Sequence, residues 1–275
     1  MRFPTKQDIK RILNLHLTKH KVPGLLGSLD VSHVRWKNCP KAFHGQYQGR
    51  SQKPTVALEA ISDYHLWFWH ASFGYPGTLN DINVLNVSTL LDKLTDNHLL
   101  TECEAEFGPY TIGDKEFEQF YFLVDGIYPP WARFLKTLSV PLSQKQFTFS
   151  KWQEASRKDI ERAFGQLQQV FHIVANPVNT MRMERFGNIM TSCLILHNMR
   201  VEEYVSGHEK YKPDDGCDMN AIDGYRGANS VVPLIINEPD ADPNSWLNRY
   251  AAEWKKLTDV NQHKRLQDAV MDLIE

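Results

Sequence analysis

Residues 121–134, YFLVDGIYPPWARF, carry the pattern on which the fold turns. Tyr121, Phe122, Leu123 and Val124 form a continuous apolar run, the pattern of a strand buried on both faces. The run ends on Asp125, and Gly126 with Pro129-Pro130 stops any strand there. An unpaired buried carboxylate is costly. Asp125 is therefore either a turn residue ahead of a glycine or a group with a partner elsewhere in the chain.

Working outward from this run, GSLDVSHV predicts a strand around residues 29–34 that carries Asp30. KPTVALEAISDYHLWFWHASFG predicts two strands joined by a turn at Ser62-Asp63-Tyr64, with Trp67 and Trp69 in the core. In YPGTLNDINVL a Pro-Gly turn opens a helix, with Asn80 or Asp81 as its cap. Downstream, a short helix is expected through Trp131 and Leu135, and LSVPL reads as a further short strand or extended segment. Ile160, Phe164, Leu167 and Phe171 recur at helical spacing and define a long helix over 152–172. A second helix follows at about 184–204, with His197 inside its apolar stretch as a core histidine. At the start, Thr5 caps a helix over 5–20 with Ile9, Ile12 and Leu13 on its apolar side.

Hairpin-linked strands followed by strand–helix alternation give an α/β, ribonuclease H-like mixed sheet flanked by helices, with additional C-terminal helices. The expected division is an N-terminal helix and turn at 1–24, a ribonuclease H-like domain at 25–204, a polar linker at 205–245 and a C-terminal helix at 246–275.

Composition narrows the class. The chain has 275 residues, 42% of them hydrophobic, with a net charge of −2. It is no polycation, so any nucleic-acid affinity must come from local patches or a partner. Four cysteines lie far apart without a CxxC pair, which points away from a zinc ribbon or disulfide framework and toward a reducing compartment. Cys39 and His44 lack a matching second pair for zinc. Neither a signal-peptide core nor a membrane-length apolar run is visible, so a soluble intracellular protein is expected.

Three acidic residues occupy special places: Asp30 in the first strand, Asp125 at the end of the fourth, and Glu161 on the long helix beside its apolar stripe. If the first and fourth strands are neighbours, the helix can bring Glu161 across their ends. Three carboxylates so placed repel one another unless hard cations sit among them. Mg²⁺ or Mn²⁺ favours such oxygen ligands, and two ions about 4 Å apart clamp a phosphodiester. Taken singly, Asp125 reads as a turn residue and Glu161 as a surface residue paired with Arg157 one turn earlier. Asp81 is a helix cap or an auxiliary ligand, and Asp159 points to a different helix face from Glu161. Arg157, Lys158 and Arg162 either balance this site and touch phosphate or are surface charges. Residues 31–58 contain Arg35, Lys37, Lys41, Arg50 and Lys53 and no acidic residue, with Trp36, Phe43 and Tyr47 interleaved and His33 and His44 as further donors. Basic groups position phosphates and aromatic rings stack on unpaired bases; the alternative is a solvated loop whose aromatics turn inward.

The blocks GLLGSLDVSHVRWKNCPKAFHGQYQGR, KPTVALEAISDYHLWFWHASFGYPGTLNDINVLNVS, YFLVDGIYPPWARFLKT, QEASRKDIERAFGQLQ and LILHNM, in this order, resemble the DDE transposases of the PIF/Harbinger superfamily, in their plant-transposon-protein branch. The resemblance runs over roughly residues 4–275. It implies a ribonuclease H-like core that cuts and rejoins DNA at transposon terminal inverted repeats and a target site. It maps the catalytic, metal-holding carboxylates onto Asp30, Asp125 and Glu161, with Mg²⁺ or Mn²⁺ as cofactor. It further implies a Myb-like DNA-binding partner, a nuclear location and a homo-oligomer. Only about 24 residues precede the first strand, room for one helix rather than a helix-turn-helix, which makes a partner the expected source of sequence-specific binding. The alternative is a domesticated, non-cleaving protein that binds DNA or a Myb-like partner.

Overall fold

A computed structural model describes residues 4–49, 52–95, 98–205 and 243–274. In chain order the elements are α1 (Lys6–His20), β1 (Leu25–Arg35), α2 (His44–Tyr47), β2 (Thr55–Ser62), β3 (Phe68–Pro76), α3 (Asp81–Val87), α4 (Leu90–Thr95) and α5 (His98–Phe107). There follow β4 (Tyr110–Ile112), β5 (Lys115–Phe117), β6 (Tyr121–Val124), β7 (Phe134–Lys136), α6 (Gln144–Val170), α7 (His172–Ala175), α8 (Met183–Val205), α9 (Pro243–Leu257) and α10 (Val260–Ile274). The main sheet has the order β3-β2-β1-β6-β7. β1 pairs antiparallel with β2, and β2 antiparallel with β3, whereas β1–β6 and β6–β7 are parallel. This is the ribonuclease H-like mixed sheet flanked by helices, with further helices at the C-terminus.

The opening stretch behaves as its composition requires. All four residues of β6 are buried. Phe122 and Val124 join one core with Ile9, Ile12, Leu29 and Trp69, while Tyr121 and Leu123 join another with Leu25, Phe149 and Val270. A strand covered on both faces needs apolar residues at both parities, which is why no alternation is seen. A third core joins Leu58 and Phe68 of the sheet to Ile160, Phe164 and Leu167 of α6, and Phe186 and Met190 of α8. Each such side chain contributes about 1.5–3 kcal/mol on burial.

Two helix starts are set by side chains. Thr5 and Asp8 form a capping box on α1, with Thr5 N donating to Asp8 Oδ2 at 2.8 Å. Ser143 caps α6, so that helix begins eight residues before the expected boundary. At Gly27 the pairing of β1 with β6 shifts register, and its φ of 151° is one that a side chain would strain. A Cβ there would also meet Ser62 O at 2.5 Å.

Three expectations are corrected. The helix read through Trp131 and Leu135 is a turn followed by β7, because Phe134 and Leu135 pair in parallel with Phe122 and Leu123. LSVPL is not a strand; Val140 and Leu142 are exposed, and the chain there leads into the α6 cap. The C-terminal region holds two helices rather than one. Asp259 breaks it and caps α10, its Oδ1 accepting from Asn261 N at 2.8 Å and Gln262 N at 3.2 Å. Most of the expected linker, residues 206–242, lies outside the described residues, and among those described no helix is long and apolar enough to cross a membrane.

Candidate active site

β1 and β6 bring the two aspartates together. Their parallel register pairs Ser28 with Leu123. Asp30 and Asp125 stand two residues beyond that last pair, Asp30 still in β1 and Asp125 just past the end of β6. α6 crosses this end of the sheet: Gln153 Nε2 donates to Val124 O at 2.8 Å and to Leu135 O at 3.0 Å, fixing the helix over the carbonyls that precede Asp125 and follow Phe134. One turn on, Arg157 Nη1 donates to Asp30 Oδ2 at 3.2 Å, and its Nη2 lies 2.8 Å from Glu161 Oε1. The guanidinium thus ties the strand carboxylate to the helix carboxylate. Glu161 is about half exposed and Asp30 mostly covered, with 47% and 17% of their side chains accessible. Asp125 Oδ1 accepts from Gly126 N at 2.7 Å, so the residue also shapes the turn.

Burial dominates the electrostatics at Asp30. Burial pushes the Asp30 carboxyl up to about 6; Arg157 opposes this, while the negative charges of Asp81 and Glu161 add to it. Asn80 is the cap of α3, accepting from Asn83 N at 2.8 Å, which leaves Asp81 half-buried at the first helical position with its charge felt at Asp30. Loop packing holds this turn in place. Thr78 Oγ1 donates to Gln46 O at 2.7 Å, and a Cβ on Gly77 would overlap Thr55 and the carbonyl of Tyr47.

A further acidic residue was not anticipated. Glu59 on β2 is fully buried; its Oε2 lies 3.1 Å from His70 Nε2, and its Oε1 has no hydrogen-bond partner among the described residues. The Tyr128 hydroxyl is likewise buried and unpartnered. Its phenol is pushed well above the usual range by burial, and the charges of Asp81, Glu59, Asp30 and Asp125 push it further. A glutamate inside the apolar run TVALEAIS was the available signal.

The basic stretch divides. Arg35, Lys37, Lys41 and Lys53 are exposed, as is Lys158 on α6, and Arg50 lies outside the described residues. Trp36 turns inward, donating from Nε1 to Thr180 O at 2.6 Å, and Tyr47 packs edge-on against it; Phe43 stays exposed. His33 Nδ1 contacts Thr55 Oγ1 at 3.3 Å, and His44 Nε2 contacts Cys39 O at 3.0 Å. His197 Nε2 bonds Leu66 O at 2.8 Å, and Trp67 and Trp69 lie in the core.

Asp159 faces away from Glu161, as its helix position requires, and is 3% exposed. Its Oδ2 lies 2.8 Å from His20 Nε2 and its Oδ1 2.6 Å from Arg162 Nη2. His16, His20 and Asp159 each offer a ligand atom within 4.8 Å of the others, a group that could hold a metal ion. Burial, with His20 and His65 nearby, keeps the His16 imidazole well below its usual range. The spacing of the two histidines in LHLTKH, one helical turn apart, was legible in the sequence and was passed over.

Comparison with known proteins adds the family. The model of the family described as plant transposon protein matches residues 1–208. The chain belongs to that family. The match spans Asp30, Asp125 and Glu161 and stops before α9 and α10. Among curated proteins, "Protein ALP1-like" of Arabidopsis thaliana is 24% identical over 189 residues, which is 66% of this chain and 44% of that protein. The chain thus aligns with less than half the length of this relative. No solved structure matches the chain. Membership makes the protein transposon-related, and the metal-holding capacity above is a property of its own side chains.

Proposed function

We propose that the chain is a divalent-metal-dependent DNA nuclease of the transposase type, with Asp30, Asp125 and Glu161 as its metal-holding carboxylates. The observation that supports this most strongly is geometric: Asp30 and Asp125 follow paired residues of the neighbouring strands β1 and β6, and Arg157 of α6 reaches both Asp30 and Glu161, at 3.2 and 2.8 Å. The residues fit Mg²⁺ or Mn²⁺: the donors are all carboxylate oxygens, and a doubly charged ion would relieve their mutual repulsion. When bound, such ions supply an activated water or 3′-hydroxyl and stabilise the leaving oxygen of a phosphodiester. Asp30 and Asp125 would hold the ions from adjacent strand ends and Glu161 from the helix, with Asp81 as an auxiliary group.

Arg157 would then leave Asp30 and turn to a phosphate oxygen, which a guanidinium binds in the same forked geometry. Lys158 and the exposed Arg35, Lys37, Lys41 and Lys53 would hold the DNA backbone, and Phe43 would stack on an unpaired base at a cut end. The substrate in this reading is a transposon end and its target site. A Myb-like partner, nuclear entry and self-association follow from the same reading.

The Arg157 bridge favours a second reading as well. A guanidinium between Asp30 and Glu161 can balance them permanently, as in a non-cleaving protein that binds DNA or a Myb-like partner. Nicking of supercoiled plasmid by the full chain, with Mg²⁺ or Mn²⁺, separates the two. The nuclease reading expects nicking that falls by at least about 100-fold in Asp125→Ala. Equal nicking by both proteins refutes it, and DNA binding without nicking by either supports the second reading.

A further inference from the structure

The carboxylates at the end of β1 and β6 are oxygen donors suited to hard cations. On the other side of α6 lies a cluster of different chemistry. His16 and His20 stand one turn apart on α1 and face Asp159 of α6. We propose that His16, His20 and Asp159 form a second metal site, for Zn²⁺ or a similar borderline divalent ion, that fastens α1 to the helix bearing Arg157 and Glu161.

Two independent observations carry this. The first is geometric. One ligand atom from each residue lies within 4.8 Å of the others, and His20 Nε2 is already 2.8 Å from Asp159 Oδ2. Ligands about 2.0–2.2 Å from one Zn²⁺ in tetrahedral array lie about 3.4 Å apart, so the ion would replace the proton shared by His20 and Asp159, and the His16 ring, stacked on that of His20 with centroids 5.3 Å apart, would turn toward it. The second is an orphan. His16 is 1% exposed, and neither of its ring nitrogens has a hydrogen-bond partner among the described residues. A buried imidazole without partners is costly, whereas a neutral imidazole is the form that ligates a metal.

The surroundings complete the design. Arg162 Nη2 holds Asp159 Oδ1 at 2.6 Å, which leaves Oδ2 directed at His20, the arrangement in which an outer partner orients a ligating carboxylate. The Tyr64 ring lies edge-on to His20 at 5.5 Å, and Lys19 and Arg162 rest over that ring rather than over the imidazoles. Trp152 of α6 donates to the carbonyl of His20 at 3.3 Å, so the helices already meet here. Two nitrogens and one oxygen are a set that Mg²⁺ avoids and Zn²⁺ accepts, with a fourth position for water.

The full chain, stripped with chelator and desalted, is titrated with Zn²⁺ in competition with a chromophoric chelator, and its melting temperature is read with and without Zn²⁺. The expected result is one tight Zn²⁺ per chain. Affinity should drop by at least about 100-fold in His16→Leu and in Asp159→Asn and stay unchanged in Asp125→Ala. Zn²⁺ should raise the melting temperature of the wild type and not that of His16→Leu. Leucine suits the buried position; should that variant fail to fold, His20→Gln makes the same comparison without altering the buried ring. Equal Zn²⁺ affinity in the wild type and the histidine variant overturns the proposal. So does loss of Zn²⁺ in Asp125→Ala, which would assign the ion to the other site. Because Asp125→Ala leaves this cluster intact, a failed nuclease assignment and a failed zinc assignment give different results.

Discussion

Arg133 offers a test of how the strand that delivers Asp125 is held. It is 1% exposed, and its guanidinium clasps Glu104 of α5 through two contacts, Nη2 to Oε2 at 2.9 Å and Nη1 to Oε1. Nη1 also donates to Phe120 O at 3.1 Å, Glu104 Oε1 accepts from Phe120 N at 2.9 Å, and Arg133 O accepts from Phe122 N at 2.8 Å. The pair therefore locks the residues just before β6 to those just before β7. With side chains only 2% and 10% accessible, it sits in the regime where removing one partner strands a buried charge. Arg133→Met should cost about 3–5 kcal/mol. A change of that size lowers the melting temperature of a domain this large by on the order of 10 °C. Glu104→Leu should cost a similar amount, because it strands the guanidinium instead. The double variant should recover most of the loss, since two apolar groups of similar volume leave no charge unpaired. Thermal and urea melts of the four proteins at neutral pH give the coupling energy directly. Simple additivity, with the double variant as unstable as the sum, would refute the account of a desolvated pair at this crossing.

Further expectations follow from particular residues. Asn80→Ala removes the α3 cap and should cost about 1 kcal/mol in urea unfolding; an unchanged midpoint would mean that Asn80 is not the cap. Gly77→Ala forces a Cβ against Thr55 and the Tyr47 carbonyl, and should raise proteolytic nicking within 41–54 well before global unfolding; unaltered nicking would contradict that packing. Burial lowers the pKa of His197 and His263, which bond Leu66 O and Phe134 O, below the usual 6.5. Protons then bind the unfolded chain first, so stability is full above pH 6.5 and falls as pH drops through the window below it. The slope is at most about 1.4 kcal/mol per pH unit for each histidine. Urea midpoints at pH 7.5 and 5.5 should show this loss, and it should shrink in His263→Gln.

Much of the sheet could be read from residues 121–134 outward, because a run without alternation has one physical meaning in a mixed sheet. The parity of Phe122 and Val124 against Tyr121 and Leu123 bears it out. What the sequence concealed was set by tertiary contacts. β7 follows two prolines and a tryptophan and is short, so its three residues gain strand character only by pairing with β6. The start of α6 depends on Ser143, in a segment whose Leu142 and Phe147 stay exposed and so give no periodic signal. At the site, the three carboxylates and the Arg157 partner of Glu161 were visible as residues, but not that Arg157 also reaches Asp30. Glu59 was hidden because a charge in a strand usually marks the solvent face, whereas here β2 is buried along its whole length and Glu59 lies against His70. The histidines of α1 were missed because Asp159, their partner, lies on a helix far away in sequence.

Diffraction from crystals grown or soaked with Mn²⁺, read by anomalous scattering, tests the central claim most directly. The account predicts Mn²⁺ beside Asp30 and Asp125 with carboxylate oxygens at about 2.1 Å, Glu161 turned toward the metal, and Arg157 displaced from Asp30. Arg157 still bridging Asp30 and Glu161, with no Mn²⁺ between the strand ends at saturating concentration, would contradict it.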